Sequence, residues 1–317
     1  MLLSRVADNL YWGARYLERA EDTARLVRSY TELVIDLPTS ALSSWEPLLA
    51  VAGNGVMLQR LGEHHGAAGG EMSIVRFLIA DLGNPGSIAS SIELARENLR
   101  TTREVMPREA WQTVNDLFLY AGSNAASGVE RRSRARFLGH VIGECQRLDG
   151  VLTTVMNRDE AYELWRLGQS IERADMTTRV VGVRAATLLA SDGPDSKVDV
   201  HDDVQWMGLL RSVSALQMYQ RVTRGPIEGS TAVDFLLFAP SFPRSVASCA
   251  TRIREALSRL PQSSITLPAV DHLDAVLDDL QTRADDGAEL DAAMEEVQAA
   301  LVGIDDTVRD AFVRAAA

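Results

Sequence analysis

Two cysteines, Cys145 and Cys249, are all that the 317 residues contain. So few thiols exclude a disulfide framework and fit a reducing cytoplasm, with each cysteine read as a small buried apolar side chain. Long apolar runs are missing too. No stretch approaches the ~18–20 residues of a membrane span, and the opening Met1–Asp8 has neither the basic start nor the apolar core of a secretory leader. We therefore expect a cytoplasmic location and no membrane partner. Basic charge is in short supply: 32 Lys and Arg face 44 Asp and Glu, for a net charge of −12. Such a chain repels phosphate backbones, which argues against nucleic acid as a partner. The densest basic stretch, Arg131-Arg132-Ser133-Arg134-Ala135-Arg136, reads as a solvated helix face.

Chemical signatures are equally sparse. There is no Gly-x-Gly-x-x-Gly or Walker-type loop to cradle a nucleotide. Of the five histidines none lies three residues after a Glu, the spacing a ferritin-like di-metal bundle needs. Neither a metal nor an organic cofactor is expected. Glu63-His64-His65 and Gly53-Asn54-Gly55 read as loops. Alternating strand patterns bounded by hairpin turns are almost absent.

What is present is helical periodicity, in a chain of ordinary globular composition, 46% hydrophobic and 24% charged. The spacing predicts helices over 4–36, 45–61, 72–82, 85–105, 107–121, 127–156, 159–190, 202–222, 231–238, 243–259, 267–283 and 287–315. Asn84 is placed to cap the helix beginning at Pro85. The Asp pairs near the C-terminus, Asp278-Asp279 and Asp305-Asp306 among them, read as wet faces.

The helices repeat. Leu10–Val27 aligns with Leu164–Val181 at an offset of 154, with seven identities that include Glu18-Arg19-Ala20 against Glu172-Arg173-Ala174. A second block aligns at an offset of 158, where Pro85-x-Ser87 matches Pro243-x-Ser245 and Arg96-Glu97 matches Arg254-Glu255. Two blocks in the same order predict an all-α, duplicated helical bundle. Its pseudo-twofold-related halves would span 1–154 and 155–317 within one compact domain.

On the first helix Leu3, Val6, Leu10, Gly13, Leu17, Ala20, Ala24 and Val27 form an apolar seam. Beside it runs a stripe of Tyr11, Ala14, Glu18, Glu21 and Arg25, matched in the second copy by Trp165, Gly168, Glu172, Asp175 and Arg179. Glu21 and Arg25 are an i,i+4 pair. Arg19 and Arg173 point further round each helix, toward solvent. Charges beside a seam need partners. Three readings of the stripe stay open: a structural polar network, a site where Arg15 and the aromatic residues help to hold a charged peptide or amino acid, or a carboxylate metal site.

The start Leu3-Ser4-Arg5-Val6-Ala7-Asp8-Asn9-Leu10-Tyr11-Trp12, then Arg15-Tyr16-Leu17-Glu18-Arg19-Ala20-Glu21, resembles the bacterial alpha-E family. So do Ile171-Glu172-Arg173-Ala174-Asp175 and Pro243-Arg244-Ser245. That family is all-helical, of unknown function, and named for its Glu-Arg motif. The resemblance implies a gene neighbourhood with a circularly permuted ATP-grasp protein, and often a transglutaminase-like protease. It points to a non-catalytic helical partner or substrate-binding subunit of an ATP-grasp-type peptide or amide ligase. Two alternatives stand beside it: an enzyme of that pathway using the Glu/Arg stripe, with Glu18 or Glu172 as general base, and a purely structural scaffold.

Overall fold

A long helix, α1 (Ser4–Asp36), opens the chain and forms half of its centre. The computed structural model describes residues 2–37, 45–52, 70–185, 188, 202–283 and 287–312. The Glu63-His64-His65 and Gly53-Asn54-Gly55 segments lie outside these. The described residues form thirteen α-helices and no strand. After α1 come α2 (Glu46–Val51), α3 (Glu71–Ile79), α4 (Ile88–Arg100), α5 (Arg108–Gly128) and α6 (Arg131–Val155). Then follow α7 (Glu160–Val180), which continues into a π-helical turn (Val181–Ala185), α8 (Asp202–Ser212) and α9 (Leu216–Thr223). The chain ends with α10 (Gly229–Phe238), α11 (Val246–Arg259), α12 (Ser263–Arg283) and α13 (Gly287–Phe312). No helix among the described residues is long and apolar enough to cross a membrane.

The central pair is α1 against α7. Helix α4 packs on the outer side of α1 and α11 on that of α7; the hairpins α5–α6 and α12–α13 close the two flanks. The seam of α1 is buried at Leu10, Leu17, Ala20, Ala24 and Val27, whereas Leu3, at the N-cap, is 77% exposed and outside it. Small residues set the approach. A Cβ on Gly168 would collide with the Tyr11 carbonyl oxygen and lie 3.3 Å from the Ala14 Cβ. One on Gly13 would meet the tip of Leu99 at 2.9 Å.

The helix starts show local chemistry at work. Asp159 caps α7 by accepting hydrogen bonds from the amides of Ala161 (3.0 Å) and Tyr162 (3.3 Å). Ser87, not Asn84, caps α4, its hydroxyl accepting from the Ser90 amide at 3.1 Å. Asn84 instead folds a turn, accepting from the Gly86 amide and donating to the Phe77 carbonyl. Ser245 caps α11 through the Ser248 amide with the same geometry, so the shared Ser of Pro-x-Ser is what starts both helices. The stretch expected as one helix over 202–222 breaks at Ser214, whose φ of 57° lies in the left-handed region. Helix α5, expected to end at 121, runs on to Gly128.

Candidate functional site

The Glu-Arg dipeptides meet where α1 and α7 face each other, and they exchange partners. Arg173 grips Glu18 with two parallel hydrogen bonds of 2.7 and 2.8 Å. Arg19 reaches Glu172 in the same bidentate way, at 2.5 and 3.0 Å. Each carboxylate is thus held by the arginine of the other helix. Arg19 and Arg173 do not point to solvent: Arg173 is buried and Arg19 is partly covered. A buried carboxylate stays charged only when its oxygens are satisfied, and the opposite helix is the nearest source of guanidinium.

Each Glu also takes a second arginine, from a different place. Arg244, just ahead of α11, forms an ion pair with Glu18 at 2.9 Å. For Glu172 the second donor is Arg15 of α1, at 2.8 Å. Arg15 is itself fixed by Asp305 of α13 at 2.7 Å, and Tyr11 donates its hydroxyl to that carboxylate too. Its guanidinium lies 4.8 Å from the Trp12 ring centre. Burial pushes both Glu pKa values up, but the flanking arginines outweigh it. Arg173 and Arg244 hold Glu18 down at about 2, and Arg19 and Arg15 hold Glu172 below its ordinary value.

The remaining stripe residues form local pairs. Glu21 accepts from Arg25 at 3.0 Å and Asp175 from Arg179 at 2.9 Å, both i,i+4. Trp165 is buried in the core, and its indole N–H has no partner among the described residues.

Several members carried little signal in sequence. Arg244 anchors three acids at once: Glu18, Glu21 at 3.4 Å and Asp22 at 2.5 Å. Asp22 is buried and its Oδ2 has no partner among the described residues. Burial, reinforced by Glu18 and Glu21 and opposed by Arg244, raises its pKa to about 7. The only hint lay in Pro243-Arg244-Ser245 standing where Pro85-Gly86-Ser87 has a glycine. Asp305, in a pair read as a wet face, is turned inward while Asp306 is exposed. Arg134, within the stretch read as solvated, is wholly buried, bound to Glu71 at 2.7 Å and over the Trp45 ring.

At the Glu18 end of this network Glu18, Asp22 and Arg244 are all buried. The Glu172 end opens onto a cavity of about 230 Å³, bordered by Arg19, Thr23, Glu172, Asp175 and Arg179 and by Gly86 of the turn before α4. Cys145 and Cys249 are buried, as expected. Among the described residues no group of three His, Cys, Asp or Glu side chains is arranged to hold a metal ion. Guanidinium groups already occupy the stripe's acids.

Residues 2–313 match a family described as Alpha-E, a predicted alpha-helical domain with a conserved ER motif. The chain belongs to that family. Two of the chain's Glu-Arg dipeptides, Glu18-Arg19 and Glu172-Arg173, are the cross-paired ones of the central helices. Uncharacterized proteins of Mycobacterium bovis and Mycobacterium tuberculosis are 22% identical over 282 residues, covering 82% of this chain. The chain spans only 30% of the length of these relatives. No solved structure matches it.

Proposed function

We propose that this Alpha-E chain is a non-catalytic helical partner or substrate-binding subunit of an ATP-grasp-type peptide or amide ligase system. The reading rests on one observation: both ER carboxylates are saturated by paired arginines. A general base should titrate near the working pH and reach its substrate. Glu18, held at about 2 and sealed in, does neither. Glu172 borders the cavity, yet two arginines hold its pKa down. These facts weigh against an enzyme that uses the stripe as its base. The buried Glu18 end favours a second, narrower reading, in which that half is purely a scaffold.

Internal duplication belongs to the same proposal. The reciprocal Glu-Arg exchange, the two serine caps and the flanking of α1 by α4 and α7 by α11 support it. The partner would be a circularly permuted ATP-grasp protein, with a transglutaminase-like protease as a further associate. The ligand would be a small peptide or amino acid. Co-expression with the ATP-grasp protein should give a complex that forms product from ATP and amino acids, while the purified chain alone forms none. Product from the chain alone would sink this reading.

A further inference from the structure

The two ends of the ER network differ by a linked pair of residues. On the α1 side, Arg244 fills the space between the turn ahead of α11 and the acids Glu18, Glu21 and Asp22. In the 158-residue alignment Gly86 stands in place of Arg244; in the 154-residue alignment Met176 stands in place of Asp22. The ion pair between Arg244 and Asp22 therefore has no counterpart at Gly86 and Met176. Those two residues instead border the cavity. Its Glu172 does not wait for the missing guanidinium, because Arg15 has already taken that role.

The polar residues that border the cavity carry unspent hydrogen-bonding groups. Arg179 bonds Asp175 through Nε, which leaves both its terminal amino groups without a partner among the described residues. Arg19 spends Nε and Nη2 on Glu172 and keeps Nη1. Asp175 accepts through Oδ2 only. Thr23 is 2% exposed and borders the cavity, and its hydroxyl is bonded to no described residue. The aligned Thr177 hydroxyl, by contrast, donates to the Arg244 carbonyl at 2.9 Å. Two guanidinium donors beside one carboxylate acceptor match a group with a carboxylate and an adjacent N–H. The space is many times the ~10–15 Å³ that one water needs, so it takes several heavy atoms.

We propose that this cavity binds the α-carboxylate and adjoining α-nitrogen of an amino acid or of a peptide C-terminus. Arg179 and Arg19 take the carboxylate, and Asp175 accepts from the nitrogen. The inference deepens the binding role proposed above, but its test needs no ligase partner, so the two can fail separately.

The whole chain is mixed, in saturation-transfer NMR, with pooled protein amino acids, with pooled dipeptides, and with the same dipeptides amidated at the C-terminus. Binding by the free amino acids or by the free-acid dipeptides supports the site, and the pool that binds identifies the source. Arg179→Ala should keep the fold, because it breaks only a partly exposed i,i+4 pair, yet weaken binding about tenfold or more. Gly86→Arg, which copies the Arg244 side, should fill the cavity and abolish binding. No binding from any pool would overturn the proposal. So would equal binding of the amidated dipeptides, or affinities that neither variant changes.

Discussion

At the scale of single residues, the ion cluster around Glu18 is defined by charge count. Glu18, Glu21, Asp22 and Asp149 face Arg25, Arg173 and Arg244: four acids against three guanidiniums. The surplus negative charge is relieved by a proton, and Asp22, with an unbonded oxygen, is the group best placed to hold it. Its carboxyl titrates near 7 in the fold against 3.8 ordinarily. Between those values the folded chain keeps a proton that the unfolded chain has lost. Stability from this group is therefore present at acidic pH and falls as pH rises from about 4 to 7. Asp149, raised to about 6, acts in the same direction. Glu18 acts oppositely, its contribution being lost as pH falls from 4.5 toward 2. Asp22→Asn should accordingly flatten the decline between pH 5 and 7.5 in chemical denaturation, by an amount on the order of a few kcal/mol. An unchanged slope would mean that Asp22 is charged in the fold.

At the scale of elements, what could be read in sequence was whatever periodicity and spacing encode. The seam of α1, the i,i+4 pairs Glu21–Arg25 and Asp175–Arg179 and the all-helical class follow from positions three and four apart. The partner exchange between α1 and α7 does not, because helical spacing gives a side chain's angle and not the identity of what it meets. Arg19 and Arg173 lie off the seam by angle, yet long flexible stems carry their guanidiniums across to the opposite Glu. Asp305, 290 residues from Arg15, had no local signal at all. The glycines show how tightly α1 is set against its neighbours, α7 at Gly168 and α4 at Gly13. At Gly168 an added methyl meets the Tyr11 carbonyl, and backbone cannot swing away. At Gly13 it meets the Leu99 side chain, which can rotate. Gly168→Ala should cost about 1–3 kcal/mol and Gly13→Ala clearly less. Thermal melts of the two variants decide the order, and a larger loss at Gly13 would contradict this account of the α1–α7 contact.

At the scale of the whole molecule, the arrangement makes each half incomplete without the other. The turn at residues 156–159 between α6 and α7 is an obvious place to divide the chain. Yet a cut there separates Glu18 and Asp22 from Arg173 and Arg244, and Glu172 from Arg15 and Arg19. It also uncovers the face of α1 that packs on α7, where Tyr11 and Ala14 lie against Gly168. A buried charge stripped of its partner costs roughly 3–5 kcal/mol, and several would be stripped at once. That is comparable to the ~5–15 kcal/mol holding a typical domain together. Fragments 1–155 and 156–317 should therefore each lack cooperative unfolding when produced alone. Produced together they should associate, because every lost guanidinium and the α1–α7 contact are restored by the other fragment. Circular dichroism melts of each fragment, then of the mixture, make the comparison. A sharp transition from fragment 1–155 by itself would show that the ER exchange joins two self-sufficient bodies rather than completing one.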